Sequence, residues 1–168
     1  FQGQIESGVV SVGDDIITLP SGESAKVKSI LIGDKDSQSA QEGQPVTIQL
    51  DKEVDVSRGC VLSSGTTLPV SKSLTATILW MDDAELTVGK DYIVKIGTKQ
   101  VLGVLKNIQY KIDVNTGNFL PAKGLSKNEI AVCDIGLQEA VVIDEFAKHK
   151  TLGELILIDR ISNMTSAC

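Results

Sequence analysis

Short apolar segments separated by turn residues make up the first part of the chain. Residues 16–19 and 25–32 are rich in aliphatic side chains, and residues 46–50 alternate between apolar and polar positions. Such alternation is typical of a half-buried strand. Residues 20–22, Pro-Ser-Gly, predict a β-turn between two of these strands. No stretch before residue 60 keeps the i, i+3, i+4 apolar pattern of a helix, so the pattern predicts a small closed β-barrel.

The second part of the chain continues with strands and turns. In the strand that starts at Gln100, Ile108, Tyr110 and Ile112 alternate cleanly with polar residues, as expected of a strand with one apolar face. Residues 115–117 predict a hairpin reversal. A short helical turn is expected only within residues 144–150. The other predicted strands are 74–81, 92–96, 128–137 and 155–158.

The boundary between the two parts lies near residue 65. Residues 54–62 predict the last strand of the first part, residues 63–67 have the small polar composition of a linker, and residues 74–81 predict the first strand of the second part. The fold class predicted from the sequence is therefore all-β, with two tandem small β-barrels at residues 1–66 and 70–168.

The run at residues 155–158 is apolar on both faces of its predicted strand. A barrel strand has only one inward face, so we expect two of its side chains to point outward and to need a second surface. Trp80 and Met81 are large apolar residues on another strand, and by alternation at least one of them faces outward. The candidate interface is therefore Trp80, Met81, Ile156 and Ile158. The alternative is that local loops in residues 136–150 cover the strand.

Composition limits the possible partners. The 168 residues are 42% hydrophobic, with a formal net charge of -6, which argues against nucleic-acid binding by this chain alone because phosphate binding needs Lys/Arg patches. No apolar run approaches the ~20 residues of a membrane span. Cys60, Cys133 and Cys168 lie far apart and are expected to be reduced thiols in a cytoplasmic protein. The first residues resemble the middle of a strand, so we expect a fragment of a longer protein.

The reactive side chains do not predict a catalytic or metal site. Residues 82–83, Asp-Asp, are expected to be an acidic turn, and Asp159 and Arg160 an ion pair at a strand end. His149 lies between two lysines and is expected to be solvated. No G-x-x-x-x-G-K-[ST] sequence is present, so no triphosphate or cofactor site is expected in this chain.

The order of strands and turns resembles domains II and III of translational GTPases such as elongation factor Tu. The first part carries the strand and turn signature of their second domain in residues 3–14, with later motifs at residues 27–30, 43–44 and 58–59. These motifs are specific to the superfamily and not to one member.

The second part resembles the large subunit of bacterial sulfate adenylyltransferase more closely. The motifs that carry this resemblance are residues 79–82 (Leu-Trp-Met-Asp), 89–92, 95–98, 111–116, 128–130 and the ending at 153–165. The resemblance covers essentially the whole chain. Cys60 is a departure, since the family usually has Asp after Arg-Gly at that position, and this puts the usual contacts of that loop in doubt.

The resemblance implies a function for the parent protein. In that family the large subunit is a GTPase, which implies GTP and magnesium as cofactors of the parent. GTP hydrolysis drives the small subunit to transfer AMP from ATP to sulfate. This chain would then be two non-catalytic barrels that pack on their own N-terminal GTPase domain and on the small subunit, without contacting a membrane or nucleic acid. The alternatives are domains II and III of a translation factor that binds aminoacyl-tRNA, and a stand-alone structural protein.

Overall fold

The computed structural model describes residues 1–168 and confirms the predicted all-β class. It contains seventeen strands and one helix, α1, at Lys150–Gly153. No helix is long and apolar enough to span a membrane. The chain divides into two compact units, Phe1–Val70 with Val142–Gly153, and Ser71–Val141 with Glu154–Cys168.

The first unit is built from two groups of antiparallel strands. The larger sheet has the order β1-β7-β4-β3-β8, with β5 paired to β4, and β2 pairs with β6 in a separate ribbon. The strands are β1 Gln2–Gln4, β2 Val9–Ser11, β3 Asp15–Leu19, β4 Glu23–Ile32, β5 Lys35–Ser37, β6 Ser39–Gln41, β7 Pro45–Leu50 and β8 Val61–Ser63.

Alternation along these strands produces the core of the first unit. In β7, Val46, Ile48 and Leu50 are buried while the residues between them are not, as the sequence pattern predicted. They pack with apolar residues of neighbouring strands, including Ile16 and Ile30. The core is therefore aliphatic, and each strand contributes one face to it.

The predicted strand at residues 54–62 is wrong over most of its length. Only Val61–Ser63 forms a strand, β8, which pairs with β3. The preceding residues turn at Gly59, whose φ is 90°, and the amide of Cys60 donates to the Ser57 carbonyl oxygen at 3.0 Å. Glycine adopts this left-handed conformation readily, and the turn interrupts any longer strand.

The second unit is a larger antiparallel sheet. Its strand order is β17-β16-β11-β12-β15-β9, with β13 paired to β12, and β10 pairs with β14 in a short ribbon. The strands are β9 Val70–Leu79, β10 Leu86–Thr87, β11 Asp91–Ile96, β12 Lys99–Ile112, β13 Phe119–Leu120, β14 Gly124–Leu125, β15 Ile130–Val142, β16 Ile156–Asp159 and β17 Thr165–Ala167.

Two register shifts in β12 change the predicted face of its second half. The pairing of β12 with β15 is irregular between Leu105 and Asn107 and again between Ile108 and Tyr110. Each β-bulge adds one residue and so reverses the alternation beyond it. Ile108 is buried, at 6% exposure, whereas Tyr110 and Ile112 are only partly buried. The single apolar face predicted for these three residues is therefore wrong.

Two further boundaries differ from the predictions. The strand predicted at residues 128–137 is β15, which begins at Ile130 because Asn128 has a φ of 68°, a left-handed conformation that a strand cannot contain. The predicted helical turn at residues 144–150 is displaced, and the helix itself is Lys150–Gly153.

The segment Val142–Gly153 groups with the first unit, although the sequence placed it in the second barrel. The Ile143 amide donates to the Pro69 carbonyl oxygen at 3.0 Å. In addition, the Thr151 hydroxyl donates to the Glu6 carboxylate. These long-range hydrogen bonds attach the segment to residues of the first unit.

Candidate interaction surface

Along β16, one apolar residue is buried in the core and the two apolar residues beside it are only partly buried. Leu157 is buried, at 1% exposure, while Ile156 and Ile158 on either side of it are partly buried. Because successive side chains point to opposite faces, Ile156 and Ile158 lie on the face away from the core.

Strand pairing brings three more aliphatic residues to this face. Ile158 is opposite Ile93 on β11, and Ile93 is opposite Leu102 on β12. Paired residues of antiparallel strands point to the same side, and Val104 shares that side with Leu102. We call Ile93, Leu102, Val104, Ile156 and Ile158 the outer face; all five are partly buried.

Sequence reasoning found two of these five residues. It missed Ile93, Leu102 and Val104, although residues 101–105, Val-Leu-Gly-Val-Leu, carry the same signal as β16. That signal is a run without polar residues on either face of a strand. Pairing then places the two runs side by side through β11.

The structure does not bring Trp80 to the outer face. The Trp80 side chain is 1% exposed, and its indole N–H donates to the Ala84 carbonyl oxygen at 2.8 Å. Its ring lies edge-on to Tyr92, with 6.0 Å between centroids. Met81 is partly buried. An interface role for Met81, Ile156 and Ile158 stays a prediction, while Trp80 belongs to the core of the second unit.

A polar corner closes one end of β16. One Asp159 carboxylate oxygen accepts hydrogen bonds from the amides of Ile161 and Ser162, both at 2.9 Å. The other lies 2.9 Å from Nζ of Lys90. The hydrogen bond from the Ser162 amide is the main reason that the pKa of the Asp159 carboxyl lies well below its usual range, and the hydrogen bond from Lys90 is the second. Asp159 in turn raises the pKa of Lys90.

The predicted ion pair between Asp159 and Arg160 is wrong. Arg160 instead lies 3.4 Å from the Asp91 carboxylate. Asp159 is the last residue of β16 and is buried, whereas Arg160 begins the following turn and is exposed. Both Asp159 oxygens are occupied by donors, so this carboxylate is not available as a general base.

The other candidate groups also have local partners. Asp82 accepts from the Ser166 hydroxyl at 2.8 Å, which is the main cause of its lowered pKa, while Asp83 pairs with Lys127 at 2.7 Å. The two adjacent carboxylates therefore do not act as a pair.

The predicted solvation of His149 is wrong. Its side chain is 24% exposed, and Nδ1 lies 2.8 Å from the Asp144 carboxylate. The turn that precedes α1 brings these two side chains together. This hydrogen bond, followed by one from the Glu145 amide, lowers the pKa of Asp144.

The structure offers no fit for GTP or magnesium. Phosphate binding needs a loop of backbone N–H groups leading into a helix, and the single helix has four residues with no glycine-rich loop before it. No group of three or more His, Cys, Asp or Glu side chains can hold a metal ion. The cysteines are free, and burial raises the pKa of the Cys133 thiol to about 11, so this thiol is a weak nucleophile.

Comparison with known proteins identifies a matching family model and close relatives. The model described as GTP-eEF1A C-terminal domain-like matches residues 73–168. Sulfate adenylyltransferase subunit 1 of Teredinibacter turnerae (strain ATCC 39867 / T7901) is 41% identical over 166 residues, which cover 98% of this chain and 36% of that protein. The chain thus spans about a third of the length of the curated relatives it matches. The predicted resemblance is confirmed.

Two solved structures share the fold at low sequence identity. A crystal structure of sup35 complexed with GDP has a TM-score of 0.89 at 22% identity, covering 99% of this chain and 41% of that one. Translation elongation factor SelB from Methanococcus maripaludis, in its apo form, has a TM-score of 0.75 at 24% identity. The match covers 99% of this chain and 37% of that one. They confirm the predicted fold class and carry no argument about function.

Proposed function

Since the chain belongs to the GTP-eEF1A C-terminal domain-like family, we propose that it forms the two-barrel part of a sulfate adenylyltransferase subunit 1. In this function, GTP hydrolysis elsewhere in the parent protein drives the small subunit to form adenylyl sulfate from ATP and sulfate. The observation that carries the proposal is the 41% identity over 98% of the chain. The solved structures that match at 22–24% identity show the shared fold and do not favour the translation-factor alternative.

The chain contributes packing surfaces and no catalytic group. The carboxylates of Asp159, Asp82 and Asp83 are each already bound by a side chain of this chain, which supports this assignment. GTP and magnesium belong to the GTPase domain of the parent protein. The three free cysteines support a cytoplasmic location, because thiols stay reduced in that compartment.

The outer face is assigned to the GTPase domain of the parent protein. Its five side chains are aliphatic. Two charged residues share this side, Lys95 opposite Ile156 and Asp91 opposite Val104, and Asp91 pairs with Arg160. Partly exposed aliphatic faces of this kind mark contact surfaces. A strand with apolar residues on both faces needs a second packed surface.

A chimera tests the proposed function. The matching residues of Teredinibacter turnerae subunit 1 are replaced by this chain, and adenylyl sulfate formation is measured with the partner subunit, with and without GTP. We expect GTP to stimulate the reaction. The control is the same graft taken from sup35, which shares the fold at 22% identity and is expected to abolish stimulation. A chimera that folds and binds GTP but shows no stimulation contradicts the proposal.

A further inference from the structure

A second apolar face lies on the other half of β12. Ile112 is opposite Phe119 on β13 and opposite Ile130 on β15, and Tyr110 is opposite Val132. Paired residues share a side, so these five residues, Tyr110, Ile112, Phe119, Ile130 and Val132, form one surface. We call it the hairpin face.

The hairpin face points away from the core of the second unit. Ala131 and Cys133, which alternate with Ile130 and Val132 along β15, are both 0% exposed. The β-bulge between Ile108 and Tyr110 reverses the alternation of β12 and turns Tyr110 outward. The apolar character of this surface is therefore not a consequence of core packing.

Aromatic side chains dominate the exposed part of the hairpin face. Phe119 is 68% exposed. The centroid of its ring lies 4.6 Å from that of the Tyr110 ring, and the two ring planes are tilted by 41°. The chain contains only three Phe, two Tyr and one Trp, so two aromatic rings in contact on one outer surface form a local concentration. Aromatic residues are enriched in the buried centres of protein interfaces, and rings already in contact lose little freedom on binding.

A hydrogen-bonded network around one ionised carboxylate borders the face. Asp134 follows Ile130 and Val132 on the same side of β15. It accepts hydrogen bonds from the Thr75 hydroxyl at 2.7 Å, the Gln109 amide at 2.8 Å and the Asn107 amide at 3.1 Å. These three donors lower the pKa of Asp134 and keep it ionised. Its oxygens are thus already bound by this chain.

The cation that lies within the face in sequence forms an ion pair. Lys111 lies between Tyr110 and Ile112 in β12 and points to the opposite side, where its ammonium group is 2.6 Å from the Glu129 carboxylate. None of the five residues of the hairpin face carries a charge, so the face itself supplies no cation for the phosphates of nucleic acid or of an anionic membrane surface. On a chain of net charge -6, such a face complements an uncharged protein surface.

We propose that the hairpin face docks an uncharged, apolar surface of the partner subunit. The inference rests on the proposed function, because the relatives are named subunit 1 and a subunit 1 implies a second subunit. The hairpin face is separate from the outer face, since the polar residues Lys106, Asn107 and Gln109 lie between them on β12. The two faces are therefore distinct surfaces of the second unit.

The test uses the chimeric subunit 1 described above and its partner subunit, with the dissociation constant measured by biolayer interferometry. Phe119→Ser is expected to weaken binding at least about tenfold, as hot-spot truncations do, while Phe119→Tyr keeps binding. Ile130→Thr, which retains a β-branched side chain, is expected to weaken binding as well. The matched control is Phe146→Ser, because Phe146 is 55% exposed and lies in the first unit.

The melting temperature shows whether each variant is folded. Phe119 is largely exposed, so Phe119→Ser is expected to melt within a few degrees of the unsubstituted chimera. Folded Phe119→Ser and Ile130→Thr variants that bind the partner as tightly as the unsubstituted chimera would overturn the inference. Loss of self-association alone would also overturn it, in favour of a second copy as the occupant. If the unsubstituted chimera does not bind the partner at all, the proposed function fails first and the inference with it.

Discussion

Asp159 fixes the geometry of one corner of the second unit. Its carboxylate binds two backbone amides of the following turn and the Lys90 ammonium. That turn carries Ile161, which is 92% exposed. One ionised side chain therefore connects β16, the start of β11 and an exposed turn, and its charge state affects all three.

Asp159→Asn is expected to lower the melting temperature by several degrees at neutral pH. The amide cannot pair with Lys90 as a carboxylate does, and its NH2 group faces backbone donors. The measurement is thermal unfolding followed by circular dichroism. The control is Asp36→Asn, which changes an exposed aspartate of the first unit and should leave the melting temperature nearly unchanged.

The effect of Asp159→Asn is also expected to depend on pH. The folded-state pKa of Asp159 lies below the ~3.9 of an unfolded aspartate. Its stabilisation is therefore fully present above that value and is lost as pH falls toward the folded pKa. The difference in melting temperature between wild type and Asp159→Asn should shrink from about pH 5 downward. A difference that stays constant down to about pH 2 would show that the charge of Asp159 is not its cause.

At the level of a single strand, β16 contributes side chains to two surfaces, the core and the outer face. Leu157 points into the core, while Ile156 and Ile158 belong to the outer face. A change on one side of the strand should therefore have a different consequence from a change on the other side.

Leu157→Ala is expected to destabilise the second unit by about 2–5 kcal/mol, as truncation of a buried leucine does. Ile156→Lys or Ile158→Lys should leave the chain folded, and at least one of them should weaken assembly with the GTPase domain of the parent protein. Urea unfolding and size-exclusion chromatography of the assembled protein separate the two effects. If both lysine variants unfold the chain, or both leave assembly unchanged, the outer face is not an interface.

At the scale of the whole molecule, most of the glycines lie between strands and not in a phosphate loop. Ten of them have positive φ, and they connect strands instead of leading into a helix. The one helix is a single turn. The fold therefore provides strand faces for contact.

The chain is expected to bind neither GTP nor ATP. Triphosphate binding requires backbone N–H groups arranged by a loop and helix N-terminus, which the described residues do not supply. Isothermal titration calorimetry with magnesium present should show no saturable heat for either nucleotide. The positive control is the Teredinibacter turnerae chimera, in which the GTPase domain is restored. Saturable micromolar binding of GTP to the chain itself would contradict this prediction.

The all-β class, most strand positions and the two-sided character of β16 could be predicted from the sequence alone. These depend on local alternation and on turn residues, which act within a few positions of one another. Alternation also predicted that two of residues 155–158 point outward, because the apolar run left no polar side for solvent. The same rule could have found Leu102 and Val104 in β12.

The tertiary structure decided which residues meet and where alternation is reversed. The β-bulges of β12 sent Ile108 inward and Tyr110 outward, and such bulges arise from pairing with another strand. Trp80 is buried and lies edge-on to Tyr92. Asp159 paired with Lys90 and not with its neighbour Arg160. Each outcome depends on contacts between residues distant in the chain, which local patterns do not contain.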